Sequence, residues 1–164
     1  MRKTGAAIFA MLRLQPMACP FFYPIECFDD KTWTRRPRMP LGDPYSGFCH
    51  ADPMREWMPD QNTLRENCNL SARGCPRFRD EIGPDAVRFS VISDRDDVLK
   101  IFYVRERDNA TLDHGVMEYS VASGHFVNGS DPGDVLRKQA LAYAESYLRR
   151  KQQPDLKARN PHRR

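Results

Sequence analysis

The fold of this chain is decided by residues 86–107, which read AVRFSVISDRDDVLKIFYVRER. Val87, Phe89 and Val91 alternate with more polar neighbours, and a period of two is typical of a β-strand with one apolar face. The aspartate-rich stretch that follows has the composition of a turn. Residues 98–105 then form an almost continuous apolar run, which favours a central strand buried on both faces. The segment therefore predicts two antiparallel strands joined by a turn.

Two further segments are predicted to continue this sheet. Residues 116–121 alternate apolar and polar side chains and predict a third strand. Residues 125–127 predict a short edge segment, because a Gly–Asn-rich break follows them. Residues 107–115 are polar and are expected to form the connection between strands. The second half of the chain is therefore expected to contain a meander of three or four antiparallel strands.

A long amphipathic helix is predicted after the strands. Asp131 is placed to cap its N-terminus, and Pro132 suits the first helical position. Apolar side chains then recur at helical spacing, namely at Leu136, Ala140, Tyr143 and Tyr147. The basic residues 149–151 complement the carbonyl end of the helix. Packing this helix on the meander buries both apolar surfaces, so the predicted fold class is α+β.

The first half of the chain has a different composition. The chain contains 13 prolines, and only Pro132 falls within residues 85–151. Regular structure is therefore expected in residues 85–151, and ordered loops without strands are expected in residues 19–84. One short helix is predicted within the loops, from about Asp60 to Arg73.

The two ends of the chain are expected to lie outside these regions. Residues 1–18 form an N-terminal extension, and either Met1 or Met17 could be the true first residue. The apolar run of the extension is short for a signal peptide, which favours a cytoplasmic protein over a secreted or lipidated one. No apolar run approaches the roughly twenty residues that a membrane-spanning helix needs.

Charge is distributed unevenly along the chain. Residues 80–148 carry seven Lys and Arg against 13 Asp and Glu, whereas residues 149–164 carry seven against one. The tail, residues 152–164, is expected to be solvated and could contact phosphates or an acidic partner.

The cysteines carry the main functional prediction. All of them lie in the proline-rich half, at Cys19, Cys27, Cys49, Cys68 and Cys75. This half is the part least able to build an apolar core, so disulfide bonds or a bound metal are expected to stabilise it in place of a core. Cys27 is the expected bystander. The predicted ligand set is therefore Cys19, Cys49, Cys68 and Cys75.

Two patterns favour an iron–sulfur cluster over zinc. Cys19-Pro20 and Cys75-Pro76 are Cys-Pro pairs, which resemble the ligation of ferredoxins. The set lacks the paired C-x₂₋₄-C knuckles of structural zinc sites. The spacing of one early cysteine and a later, closer pair also resembles that of some RecB-like nucleases, in which an iron–sulfur cluster joins two parts of the chain. The acidic active-site motif of those nucleases is not recognisable here. A 4Fe-4S cluster is thus predicted, with zinc as the alternative, while disulfides and unbound thiols stay open.

The predicted function is that of a small iron–sulfur or metal-binding protein, acting in electron transfer, redox sensing or structural support. The alternative is a metal-free interaction module. Such a module would bind nucleic acid or a protein partner through the basic tail and the arginines at Arg35, Arg36 and Arg38. Whether the chain is an enzyme stays open, since no P-loop, G-x-S-x-G or H-E-x-x-H motif is present.

Overall fold

The computed structural model describes residue 7 and residues 16–27, 39–78, 83–129 and 131–153. The elements follow the chain in the order β1 (Phe22–Cys27), β2 (Tyr45–Asp52), β3 (Arg55–Trp57), α1 (Gln61–Thr63), a π-helical segment (Leu64–Cys68), β4 (Ala86–Arg95), β5 (Val98–Arg107), β6 (Ala110–Ser120), β7 (His125–Gly129) and α2 (Asp134–Gln152). Two antiparallel sheets, ordered β1-β2-β3 and β4-β5-β6-β7, accompany the C-terminal helix. The predicted α+β class is therefore confirmed.

The larger sheet is built from long strands joined by tight turns. The central residues of two turns have positive φ angles, 56° and 58° at Asp96 and Asp97, and 52° and 62° at Asp108 and Asn109. This backbone twist matches that of antiparallel strands, so two residues suffice to connect them. The polar connection predicted for residues 107–115 is wrong, because β6 already begins at Ala110.

The smaller sheet lies in the proline-rich part, where no strand was expected. Pro24 pairs with Gly47, and the register shifts between Pro24 and Glu26. A Cβ atom at Gly47 would collide with the carbonyl oxygen of Tyr23, so only glycine lets the strands approach here. Pro44 directly precedes β2. The prolines thus occupy a bulge and a strand boundary, where a missing backbone donor does little harm.

The predicted helix over residues 60–73 is shorter than expected. Asp60 caps α1, since its Oδ1 accepts a hydrogen bond of 3.0 Å from the Thr63 amide. The next turn is π-helical and ends at Cys68, and the Asn69 amide donates to the Leu64 carbonyl at 3.0 Å. The Asn69 side chain then bonds to both the amide and the carbonyl of Tyr45. These hydrogen bonds hold Asn69 against β2, and the helical segment ends one residue before it.

The last helix begins later than the sequence predicts. Gly133 is its N-cap residue, with φ of 91° and no side-chain capping bond. That angle is incompatible with a helix running on from Pro132, so Asp131 does not cap it. Instead, Asp131 Oδ1 lies 3.9 Å from Arg137 Nη1.

One apolar core joins both sheets to α2. Its buried members include Phe22 and Tyr45 of the smaller sheet and Phe89, Leu99 and Ile101 of the larger one. Leu136, Ala140 and Ala144 of α2 belong to the same core. The opposite side of the helix meets the smaller sheet through Gln139, Ala142 and Ser146, which are also buried. The helix therefore packs against both sheets.

Several predictions concern residues outside the described part of the chain. They include most of the N-terminal extension, most of the basic tail, and the arginines at positions 35, 36 and 38. The choice between Met1 and Met17 as the first residue stays a prediction. The proposed division into regions and the cytoplasmic location stay predictions. Among the described residues, no helix combines the length and apolar character that crossing a bilayer requires.

Candidate functional site

The structure brings the four predicted ligand cysteines into one neighbourhood. Cys19 lies in the turn before β1, Cys49 on β2, Cys68 at the end of the π-helical segment, and Cys75 in the loop beyond it. Burial raises the pKa of Cys19 to about 12, with further increases from Cys49 and Cys75. Burial is also the largest cause of the raised pKa of Cys68. The nearby thiols of Cys19, Cys49 and Cys75 raise this pKa further. Cys27 is exposed.

The predicted metal-binding function is nevertheless wrong. Among residues 16–27, 39–78, 83–129 and 131–153, no group of three or more His, Cys, Asp and Glu side chains could hold a metal ion. No disulfide joins any of the described cysteines. The physical reason is geometric: a metal requires several ligand atoms that converge on one point, and the described side chains of these types do not form such a group. The choice of an iron–sulfur cluster over zinc stays a prediction.

A different site lies between α2, β1 and β7. This α2–β7 cleft has a volume of about 360 Å³ and is lined by Tyr23, Gly124, His125, Phe126, Asp134, Arg137, Lys138 and Leu141. Strand β1 supplies Tyr23, because alternation along the strand buries Phe22 and turns its neighbour outward. Arg137 and Lys138 follow the buried Leu136 and so come to the outer side of the helix.

Each of the two cations in the cleft lies over an aromatic ring. Arg137 Cζ is 5.9 Å from the centroid of the Phe126 ring. Lys138 Nζ is 5.9 Å from the centroid of the Tyr23 ring. Such cation–π contacts hold the cations near the aromatic faces and leave their N–H groups available to an anion.

The two rings are themselves supported by further aromatic residues. The rings of Tyr23 and His50 are stacked, with centroids 5.0 Å apart and planes inclined by 12°. Phe126 meets Tyr119 edge to face, with centroids 5.5 Å apart. His50 Nε2 also lies 3.2 Å from Glu56 Oε1, in a contact that does not have the geometry of a hydrogen bond. The two rings that line the cleft are therefore each packed against another aromatic ring.

The charges at the cleft are only weakly neutralised. The contact of Arg137 with Asp131 is long, and the two side chains are 49% and 81% exposed. An ion pair so exposed contributes little and leaves the guanidinium able to turn toward another anion. By contrast, Arg149 and Lys151 are held close to Asp43 and Asp94, at 2.9 and 2.8 Å. The cleft therefore presents positive charge from Arg137 and Lys138, partly balanced by Asp134, which also lines it.

Sequence reasoning missed this site. Its residues come from three separate elements, and no spacing in the chain links Tyr23 to Phe126 or to Arg137. One signal was available, because Arg137-Lys138 is a pair of adjacent cations within an otherwise acidic stretch. Comparison with protein-family models, curated proteins and solved structures found no match to this chain. Its function must therefore be inferred from its own residues.

Proposed function

We propose that this chain is an interaction module that binds single-stranded nucleic acid in the α2–β7 cleft. The observation that carries the proposal is the pairing of two cations with two aromatic faces in one cleft. Proteins that bind single strands combine a positive groove for the phosphates with aromatic rings on which bases stack. The cleft offers both kinds of contact within one surface.

The charge of the chain supports the same function. The net charge is +4, and residues 152–164 add four Lys and Arg beyond Lys151, against one Asp. These residues follow the described end of α2, and phosphate contacts from such a tail would raise affinity without sequence preference. Since Arg149 and Lys151 are paired within the fold, the tail beyond them supplies the additional charge.

The test is fluorescence anisotropy with labelled oligo(dT) and oligo(U) over a series of salt concentrations. Arg137→Gln and Lys138→Gln should each weaken binding and reduce the slope of log K against log salt by about 0.7, the value for one phosphate contact on a single strand. Arg95→Gln is the matched control, because Arg95 is an exposed arginine that does not line the cleft. Its affinity and salt slope should equal those of the unmodified chain.

Tyr23→Leu tests the aromatic part of the proposal. Loss of one stacking platform should weaken oligonucleotide binding by roughly five- to a hundredfold while leaving the salt slope unchanged. Heparin has anionic groups but no bases, so the affinity of the protein for heparin should be the same in this variant as in the unmodified chain. A circular dichroism spectrum checks that the variant is folded. Equal loss of heparin and oligonucleotide binding, or no oligonucleotide binding at low salt, would overturn the proposal.

A further inference from the structure

The larger sheet has a second face, turned away from α2, and the centre of this face is buried. Phe102 and Val104 of β5 point toward it, because they alternate with Ile101 and Tyr103 of the main core. The two residues form a small apolar cluster of their own, against which Val116 of β6 packs. Phe102 is only 6% exposed and Val104 only 1%, so this part of the face is not open to solvent.

An ion pair beside this cluster is covered as well. Arg88 Nε lies 3.0 Å from Glu106 Oε2, and the two side chains are only 12% and 10% exposed. Lys100 and Glu118 form a similar pair farther along the same face, but they are 47% and 25% exposed. Neighbouring strands alone therefore do not bury an ion pair on this face. A further layer of atoms covers one end of it, the outer patch formed by Arg88, Phe102, Val104 and Glu106.

The elements described above do not account for this cover. Helix α2 packs on the opposite face, in the core that contains Ile101. The His114 ring lies 5.5 Å from the Phe102 ring, but it belongs to the neighbouring strand and thus to the same layer. Among the described residues, only Val116 joins the apolar cluster of the patch. Because these exposures are those of a single chain, the cover belongs to the chain itself.

Residues 16–18 reach the larger sheet at its covered end. The Ala18 amide donates to the Val87 carbonyl at 2.7 Å, and the Val87 amide donates to the Ala18 carbonyl at 3.1 Å. Val87 directly precedes Arg88 on β4. The residues before position 16 therefore join the described chain next to the outer patch.

The other segments outside the described ranges are less suited to cover the patch. Residues 28–38 follow Cys27, which belongs to the smaller sheet. Residues 154–164 follow α2, whose last turn is bound to Asp94 at the far end of β4. Residues 79–82 contain a single apolar side chain, which is too little to cover an apolar pair and an ion pair.

Residues 5–14 have the composition that such a cover needs. They read GAAIFAMLRL, in which all residues except the glycine and the arginine are apolar. Ala7 is helical and exposed. On a helix with about 3.6 residues per turn, Phe9 and Leu12 lie on the side opposite Ala7, with Ile8 beside them. With Ala7 facing solvent, these larger side chains would face the sheet.

We propose that residues 5–14 dock on the outer patch, with Phe9 and Leu12 packed against Phe102 and Val104. The contact removes apolar surface of both partners from water, which holds the segment in place. It also keeps the apolar centre of this face from pairing with a second copy of the chain. The patch lies on the face opposite α2, so the docking is independent of the nucleic-acid binding proposed for the α2–β7 cleft.

The direct test is a ¹³C-edited NOESY spectrum of the full chain with labelled methyl groups. The Leu12 methyl groups should show cross-peaks to the Phe102 ring and to the Val104 methyl groups. The Met11 methyl group, on the same side of the helix as Ala7, should show none and is the internal control.

Three results of that spectrum would overturn the proposal. The first is a set of cross-peaks to the outer patch from residues 28–38, 79–82 or 154–164 in place of residues 5–14. The second is a set of cross-peaks to the patch between a labelled and an unlabelled copy, which would show that a second chain covers it. The third is the absence of any cross-peak between residues 5–14 and the patch.

Two matched variants measure how much the docking contributes. Phe9→Ala should increase the equilibrium constant for unfolding at least about tenfold in urea denaturation, because a buried aromatic side chain is lost. Met11→Ala should change this constant by no more than about twofold, as is usual at exposed positions. Equal effects of the two variants would contradict the proposed orientation. Both variants should bind oligonucleotides as the unmodified chain does, which separates this surface from the α2–β7 cleft.

Discussion

The two sheets of this protein are stabilised in different ways. The larger sheet has an apolar inner face, where Leu99 and Ile101 are fully buried against α2. The smaller sheet depends much more on buried polar contacts. The Asn69 side chain bonds to the amide and carbonyl of Tyr45 at 2.8 and 2.9 Å. Gln139 bonds to two carbonyls that flank the start of β1.

A third polar contact joins the smaller sheet to the end of α2. The Tyr45 hydroxyl donates to the Ala142 carbonyl at 2.8 Å and lies 2.8 Å from Ser146 Oγ. Arg149 donates to the same hydroxyl at 2.6 Å and to Asp43 Oδ2. A proline-rich segment can thus form a sheet when distant side chains satisfy its backbone groups. Periodicity predicts sheets of the first kind and misses those of the second.

The largest expected effect is in the reactivity of the cysteines, all of which belong to the smaller sheet and its loops. Burial raises the pKa of Cys19 to about 12, so its thiolate fraction at pH 8 is small. We expect iodoacetamide to label Cys19 roughly a thousandfold more slowly than the exposed Cys27. Peptide mass spectrometry over time measures both rates. In urea the two rates should become similar.

The labelling rates also report how firmly the smaller sheet is held in the fold. Slow labelling of Cys19 and Cys68 in the folded protein would show that these thiols pack as small apolar groups. Labelling of Cys19 as fast as Cys27 would show instead that the smaller sheet opens readily, and that its polar ties are weak.

The second effect concerns Asn69. Asn69→Ala removes three buried hydrogen bonds, to the Tyr45 amide, the Tyr45 carbonyl and the Leu64 carbonyl. Because these backbone groups lose their partner, the free energy of unfolding should fall by roughly 2–3 kcal/mol in urea denaturation. Asn67→Ala is the control, since the Asn67 side chain makes only long contacts of 3.4 Å. Equal losses in the two variants would contradict a special role for Asn69.

The smallest effect is on acid stability at the edge of the larger sheet. The hydrogen bond from Lys151 lowers the pKa of Asp94, and Tyr147 lowers it further. A carboxyl with a lowered pKa in the folded state stabilises the fold above its unfolded pKa, near 3.9, and this contribution is lost as pH falls through the folded pKa. Asp94→Asn should therefore remove under about 1 kcal/mol of stability at pH 7.

The pH profile distinguishes this effect from a simple loss of packing. The difference between Asp94→Asn and the unmodified chain should shrink as the pH is lowered below 4, as measured by thermal unfolding. Asp96→Asn is the control, because Asp96 lies exposed in the neighbouring turn and its φ of 56° suits asparagine. A difference that is constant with pH would show that the ion pair does not contribute.

The cysteines show how much of a candidate site could be predicted from the sequence. Cys19, Cys49, Cys68 and Cys75 lie near enough to influence one another's pKa, while the choice of these four as ligands stays a prediction. Whether neighbouring thiols can hold a metal depends on the directions and spacing of the side chains, and no count of intervening residues contains these. The α2–β7 cleft was missed for the same reason, because Tyr23 and Lys138 are brought together only by packing.

The amino-acid sequence alone determined the α+β class, the strands near residues 86–105 and 116–120, and the long final helix. These elements depend on local periodicity and on turn residues such as Asp96, whose effects act over a few neighbours. Tertiary packing was needed to see that strands within residues 22–57 form a sheet, that the described thiols are not part of a group that could hold a metal ion, and that two cations meet two aromatic rings. Such features depend on contacts between residues far apart in the chain, which local patterns do not encode.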